Sequence, residues 1–102
     1  MQINTIDEVV AKRIYKIGTG EAALEVTVLL GKPVQFPDSS DFFAPYQIKG
    51  PGNEKIRCVG GIDSFQSLQL AMQMIGYDLA ALNAKLDEKM VWEGDENGAL
   101  GF

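Results

Sequence analysis

The stretch Gly60–Leu79, "GGIDSFQSLQLAMQMIGYDL", decides the fold. Two glycines open it as a turn. Asp63 then stands where a carboxylate can cap a helix, and Gln66 follows three residues later in a capping-box pattern. Phe65, Leu68, Met72, Ile75, Leu79, Leu82 and Leu86 recur at spacings of three and four, which predicts one helix running to about Leu82 or Leu86. That stripe is expected to face a sheet. A second apolar set, Leu70, Met74, Tyr77 and Ala81, falls on nearly the opposite side, flanked by the neutral Gln66, Gln69 and Gln73. Between Ser64 and Ala84 the only charged residue is Asp78. A helix that is apolar on two sides is ordinarily covered on two sides.

Upstream of the helix the periodicity changes from helical to alternating. Glu8–Ile17 alternates, with Val10, Lys12, Ile14 and Lys16 on one side and Val9, Ala11, Arg13 and Tyr15 on the other. "GTGE" (Gly18–Glu21) is a turn, and "AALEVTVLL" (Ala22–Leu30) is a second strand with Leu24, Val26, Val28 and Leu30 on one face. The short connection predicts an antiparallel hairpin. Residues 31–44 read as a long loop holding Phe36, Phe42 and Phe43, a candidate contact surface. "PYQIKG" (Pro45–Gly50) and "EKIRCV" (Glu54–Val59) read as a third and a fourth strand, with Ile56 and Cys58 sharing the face turned to the helix. After the helix, "EKMVWEG" suggests a short edge strand, and residues 95–102 form a tail. Strands followed by a helix predict an α+β fold of two layers. The expected architecture is an antiparallel meander of four to five strands with one long helix on one face.

A chain of 102 residues with 46% hydrophobic content is one domain's worth, so residues 1–102 are read as a single domain. The net charge of −5 is uneven. Met1–Arg57 carries seven acidic and seven basic residues, whereas Cys58–Phe102 carries seven acidic and two basic. Five of those acids lie between Asp87 and Glu96. Nucleic acid is not expected as a partner, because phosphate binding needs clustered Lys and Arg. No apolar run reaches the roughly 20 residues of a membrane span. The N-terminus lacks the basic region and apolar stretch of a signal peptide, and the one cysteine cannot staple the fold, so a cytoplasmic location is expected.

There is no histidine, which removes Ser-His-Asp and Cys-His arrangements and most zinc sites. Cys58 alternates with Ile56 and has no base near it in sequence, so it reads as a small buried hydrophobe. Asp38 and Asp41 sit in a polar loop without the burial that would split their pKa values. "DENG" lacks the alternating ligands of a calcium loop. "GTGE" and "VGGIDS" are turns, the second bearing a carboxylate that repels phosphate. No catalytic residue, metal site or cofactor is expected, and the protein is read as a non-enzyme.

The stretch "GIDSFQSLQLAMQMIG" (Gly61–Gly76), with "YQIKG" before it and Trp-Glu-Gly and Leu-Gly-Phe after it, resembles a family of short bacterial proteins catalogued as a domain of unknown function. Its pattern is a Gly-x-Asp opening, a Gln-x-Leu helix ending in Ile-Gly, then Trp-x-Gly and Leu-Gly-Phe, with Ser67 standing where alanine is expected. The resemblance covers about the second half of the chain and implies no activity.

The function expected from these observations is protein binding or self-assembly. The candidate interface is Leu70, Met74, Tyr77 and Ala81 with Gln66 and Gln73. Its cover is sought in the chain itself, in a homodimer or in another protein partner. The phenylalanine loop and the tail bearing Leu100 and Phe102 are the internal choices. The alternatives are an acidic immunity-type inhibitor of a basic toxin and a small-molecule binder with a pocket under residues 31–44.

Overall fold

The computed structural model describes residues 3–52, 54–92 and 99–102. The two alternating runs near the start pair as an antiparallel hairpin, β1 (Val9–Ile17) and β2 (Leu24–Gly31), joined through a 3₁₀ turn at Gly20–Ala22. Period-two geometry puts Tyr15 and Ile17 of β1 on one face with Val26, Val28 and Leu30 of β2, and all five are buried. Leu24, expected to join them, lies at the strand's end and is exposed.

Residues 31–44 are less of a loop than their prolines suggest. A two-residue strand, β3 (Val34–Gln35), follows β2, and β4 (Phe42–Lys49) starts three residues earlier than Pro45. β4 is the hub of the sheet. Phe42 and Phe43 are paired to both β3 and β5 (Arg57–Gly61), while Tyr46 is paired to both β2 and β5. Hence β2 and β3 share one edge of β4, and β5 holds the other. After the helix, β6 (Met90–Trp92) returns to the far edge and pairs with β1. Among the described residues the result is a six-stranded antiparallel sheet with one long helix, an α+β fold.

Helix α1 (Ser64–Ala84) begins as its sequence requires. The Asp63 carboxylate accepts the Gln66 backbone N–H at 2.7 Å, and the Gln66 side-chain oxygen accepts the Ile62 N–H at 2.8 Å. Most of the expected stripe faces the sheet, but Phe65 and Met72 drop out of it and Ser67 and Ala71 take their place. The buried residues are Ser67, Ala71, Ile75 and Leu79, with Leu68, Leu82 and Leu86 packed at the margin. Phe65 is 78% exposed and Met72 41% exposed. The reason is the closeness of strand and helix where β5 runs into α1. A Cβ on Gly61 would lie 2.5 Å from the Ser67 backbone nitrogen, so only small residues fit that seam. The buried Ser67 hydroxyl is satisfied by donating to the Ser64 carbonyl at 3.0 Å.

β5 also faces the other way from expectation. Its register sets Arg57 opposite Tyr46 and Val59 opposite Ala44, so these share the helix side, and Cys58 turns to the outer face opposite Pro45. An edge strand can carry an arginine on its inner face where the guanidinium reaches past the core to a partner. Arg57 does so, as described below.

Glu93, Asp95 and Glu96 of the acidic stretch, the glycine of Trp-x-Gly and "DENG" lie outside the described residues. Among the described residues no helix is long and apolar enough to cross a membrane.

Candidate functional site

The two flanks of α1 have different surroundings. On one flank Leu70 is half-buried, Met74 is 37% exposed, Tyr77 is 69% exposed, and Ala81 and Gln73 are exposed. Gln66 is committed to the helix start through Ile62, so its role is to hold the cap. This flank overlooks β5, because Asp78, on the same side of the helix, reaches Arg57.

Asp78 is the one charge on the helix, and its position explains it. Its Oδ2 accepts the Tyr46 hydroxyl at 2.5 Å and lies 3.7 Å from Arg57 Nε. Burial first, and then the adjacent Asp78 carboxylate, push the Tyr46 phenol well above its ordinary value. The three side chains tie α1, β4 and β5 together. Ala81, Leu82, Lys85 and Lys55 complete a cleft of about 250 Å³ beside them.

On the opposite flank the tail comes back over the sheet. Tyr15 donates its hydroxyl to the Leu100 carbonyl, and Arg13 donates to the carbonyls of Leu100 at 3.4 Å and Gly101 at 3.3 Å. The Arg13 guanidinium lies 4.0 Å from the centre of the Trp92 ring and 5.1 Å from that of Phe102. A cation facing two aromatic rings is stabilised by both quadrupoles. Burial raises the Tyr15 phenol, with Arg13 acting against it. Gly76 makes room for the ring: a Cβ there would sit 3.1 Å from the Phe102 Cβ. Glycine inside a helix costs about 1 kcal/mol relative to alanine, and here the loss is offset by the apolar contact it admits.

Ile75-Gly76, Trp92 and Leu100-Gly101-Phe102 therefore converge on Arg13, although they are scattered along the chain. Those motifs are legible in the sequence, whereas the role of Arg13 as their meeting point is not. The available signal was a cation on the inner side of an alternating strand, between Ala11 and Tyr15.

The phenylalanines do not form one surface. Phe36 and Phe43 pack with ring centres 5.0 Å apart, and Phe43 is buried on the sheet face turned away from α1. Strand alternation sends Phe42 to the helix side. Near Phe43 lies a groove of about 890 Å³, lined among others by Ile3, Ile6, Lys32, Val34 and Pro45. Cys58 is half-buried, and burial raises its thiol pKa. Among the described residues no three His, Cys, Asp or Glu side chains gather as metal ligands.

A family model described as a domain of unknown function (DUF6968) matches residues 11–102. The chain belongs to this family. The match to DUF6968 extends beyond the second half of the chain to include most of β1, and with it Arg13 and Tyr15. The whole tail clasp thus lies within the DUF6968 span. No curated protein and no solved structure matches the chain.

Neither internal cover reaches the second apolar set. Among the described residues, Leu100 and Phe102 occupy the Gly76 flank, and Phe36 and Phe43 pack on the far side of the sheet. Met74 and Tyr77 remain exposed.

Proposed function

We propose that this protein is a non-enzymatic protein-binding or self-assembling module whose contact surface is the Leu70–Met74–Tyr77–Ala81 flank of α1. One observation carries the reading. This flank is apolar and nearly uncharged, and it adjoins β5, whose outer edge pairs with no strand among the described residues. Depleted charge with Met and Tyr present distinguishes interface cores from ordinary surface. An unpaired strand edge supplies backbone donors and acceptors that water or another chain must satisfy.

A photo-reactive residue at position 77 (Tyr77→p-benzoylphenylalanine) tests it in the cells that make the protein. The expected result is one discrete adduct that disappears with Met74→Glu. No adduct from position 77, in a protein that is folded and expressed, overturns the reading.

A second reading rests on the groove near Phe43, whose volume of about 890 Å³ is in the range of small-molecule sites. Native mass spectrometry of the protein isolated under mild conditions decides it. A bound species lost on Val34→Arg favours it, and a bare chain mass excludes it.

A further inference from the structure

We infer that the occupant of this flank is a second copy of the chain, joined by antiparallel pairing of β5 with β5 about a two-fold axis. The inference rests on the binding-module reading and names its partner.

Geometry supports the pairing first. α1 packs on both β4 and β5, so its axis lies above the space between them. Neighbouring strands are about 4.8 Å apart, so a two-fold just outside β5 lies about 5 Å from that axis and places the two helices about 10 Å apart. Helices pack at about 8–10 Å. Continuing the sheet through β5 therefore brings the exposed flanks of the two helices into contact with no further adjustment. The side chains that meet there are Leu70, Met74, Tyr77 and Ala81. Along a helix of 21 residues, about 32 Å long, this contact adds to the strand pairing to form one continuous surface.

Charge supports the same partner. The whole chain carries −5, so two copies repel wherever their acidic surfaces face each other. This flank avoids the problem, since its one carboxylate, Asp78, is paired with Arg57 and Tyr46. Lys55 lies two residues before β5, and Asp63 lies two residues past its end. Antiparallel self-pairing brings the start of each copy alongside the end of the other. Centred on Val59, it sets Lys55 across from the partner's Asp63. Gly60 and Gly61 leave no bulk on that edge.

Sedimentation equilibrium over a wide concentration range tests the inference. The wild type is expected at twice the 11.1 kDa chain mass. Gly60→Lys places a charged side chain on the strand edge, a common natural block to pairing. It should fold, because a Cβ there meets only the Phe42 carbonyl oxygen at an ordinary 3.8 Å. Gly60→Lys, and separately Met74→Glu with Tyr77→Glu, should each weaken the dimer by about tenfold or more while circular dichroism stays unchanged. Lys12→Glu, on the outer face of β1, should leave it intact. Asp63→Asn keeps the cap and removes the charge, so it should weaken the dimer at low salt and less at high salt.

A monomeric wild type at the highest concentration overturns the inference, as does a dimer indifferent to Gly60→Lys. In either case the module reading stands or falls separately on the position-77 adduct. An adduct heavier or lighter than two chains leaves the module reading in place with a different partner and removes the self-pairing.

Discussion

The two flanks of α1 both carry apolar side chains, and only one of them is met by another segment among the described residues. On the Gly76 flank, Phe102 and Leu100 fold back, held by Arg13, Tyr15 and Trp92. On the Met74 flank, one charged node at Asp78 ties helix to sheet and the apolar side chains beside it stay bare. Apolarity alone does not settle which flank belongs to the core. A flank gains a cover when a segment has an apolar group to insert and the sheet has donors for that segment's carbonyls. The tail brings Leu100, Phe102 and the carbonyls, Arg13 and Tyr15 supply the donors, and nothing among the described residues does so on the other flank.

The most severe way to break the contrast is Gly76→Leu. It puts a side chain where Phe102 sits and should cost about 2–3 kcal/mol in urea unfolding, whereas Met74→Leu should change the same measurement by less than about 0.5 kcal/mol. A loss no larger at Gly76 than at Met74 makes the tail contact energetically idle.

Next in size is the phenol at the Asp78 node. Tyr46→Phe leaves the carboxylate without its donor and should cost about 1.5–2 kcal/mol near neutral pH. The pH dependence has a definite sign. The folded-state pKa of Tyr46 is raised above its unfolded value of about 10, so the folded chain holds the proton more tightly. The resulting stabilisation is complete below about pH 10 and declines as pH rises toward the folded-state value. Thermal melts at several alkaline pH values should show that decline in the wild type and a shallower one in Tyr46→Phe.

A gentler test separates aromatic contact from charge on the clasped flank. Arg13→Lys keeps the cation but loses the planar face set against two rings. It should cost about 1 kcal/mol by denaturant unfolding, and it should quench or shift Trp92 fluorescence at half the loss expected for Arg13→Ala. The smallest effect belongs to Tyr77→Ala, which should leave the stability of the isolated chain within about 0.5 kcal/mol of wild type. A larger loss at Tyr77 means the bare flank is part of the core after all.

What could be read from the sequence was local. Asp63 and Gln66 announce a helix start because capping acts within one turn. Tyr15, Val26 and Val28 share a face because alternation needs only neighbours. The misplacement of Phe65 and Met72 has a different source. Periodicity weighs apolarity, but the closest seam of a helix and a strand is filled by size: Ser67 lies against Gly61, and Ala71 follows one turn on, buried. β3 is two residues long, too short for alternation to register. Arg13 went unnoticed because its partners, Leu100 and Gly101, lie 87 and 88 positions away. For the candidate surface, the apolar flank was visible in its composition. Its neighbour, the open edge of β5, depended on strand order.

The bond from Tyr15 to Leu100 spans 85 positions. At about 5–20 residues per second, translation needs roughly 4–17 s to deliver the acceptor after the donor has been made. During that interval a hairpin that can already form has one greasy side without its lid. A nascent chain stalled before Leu100 should therefore be far more sensitive to protease and to chaperone capture than one in which residues 100–102 have cleared the ribosome.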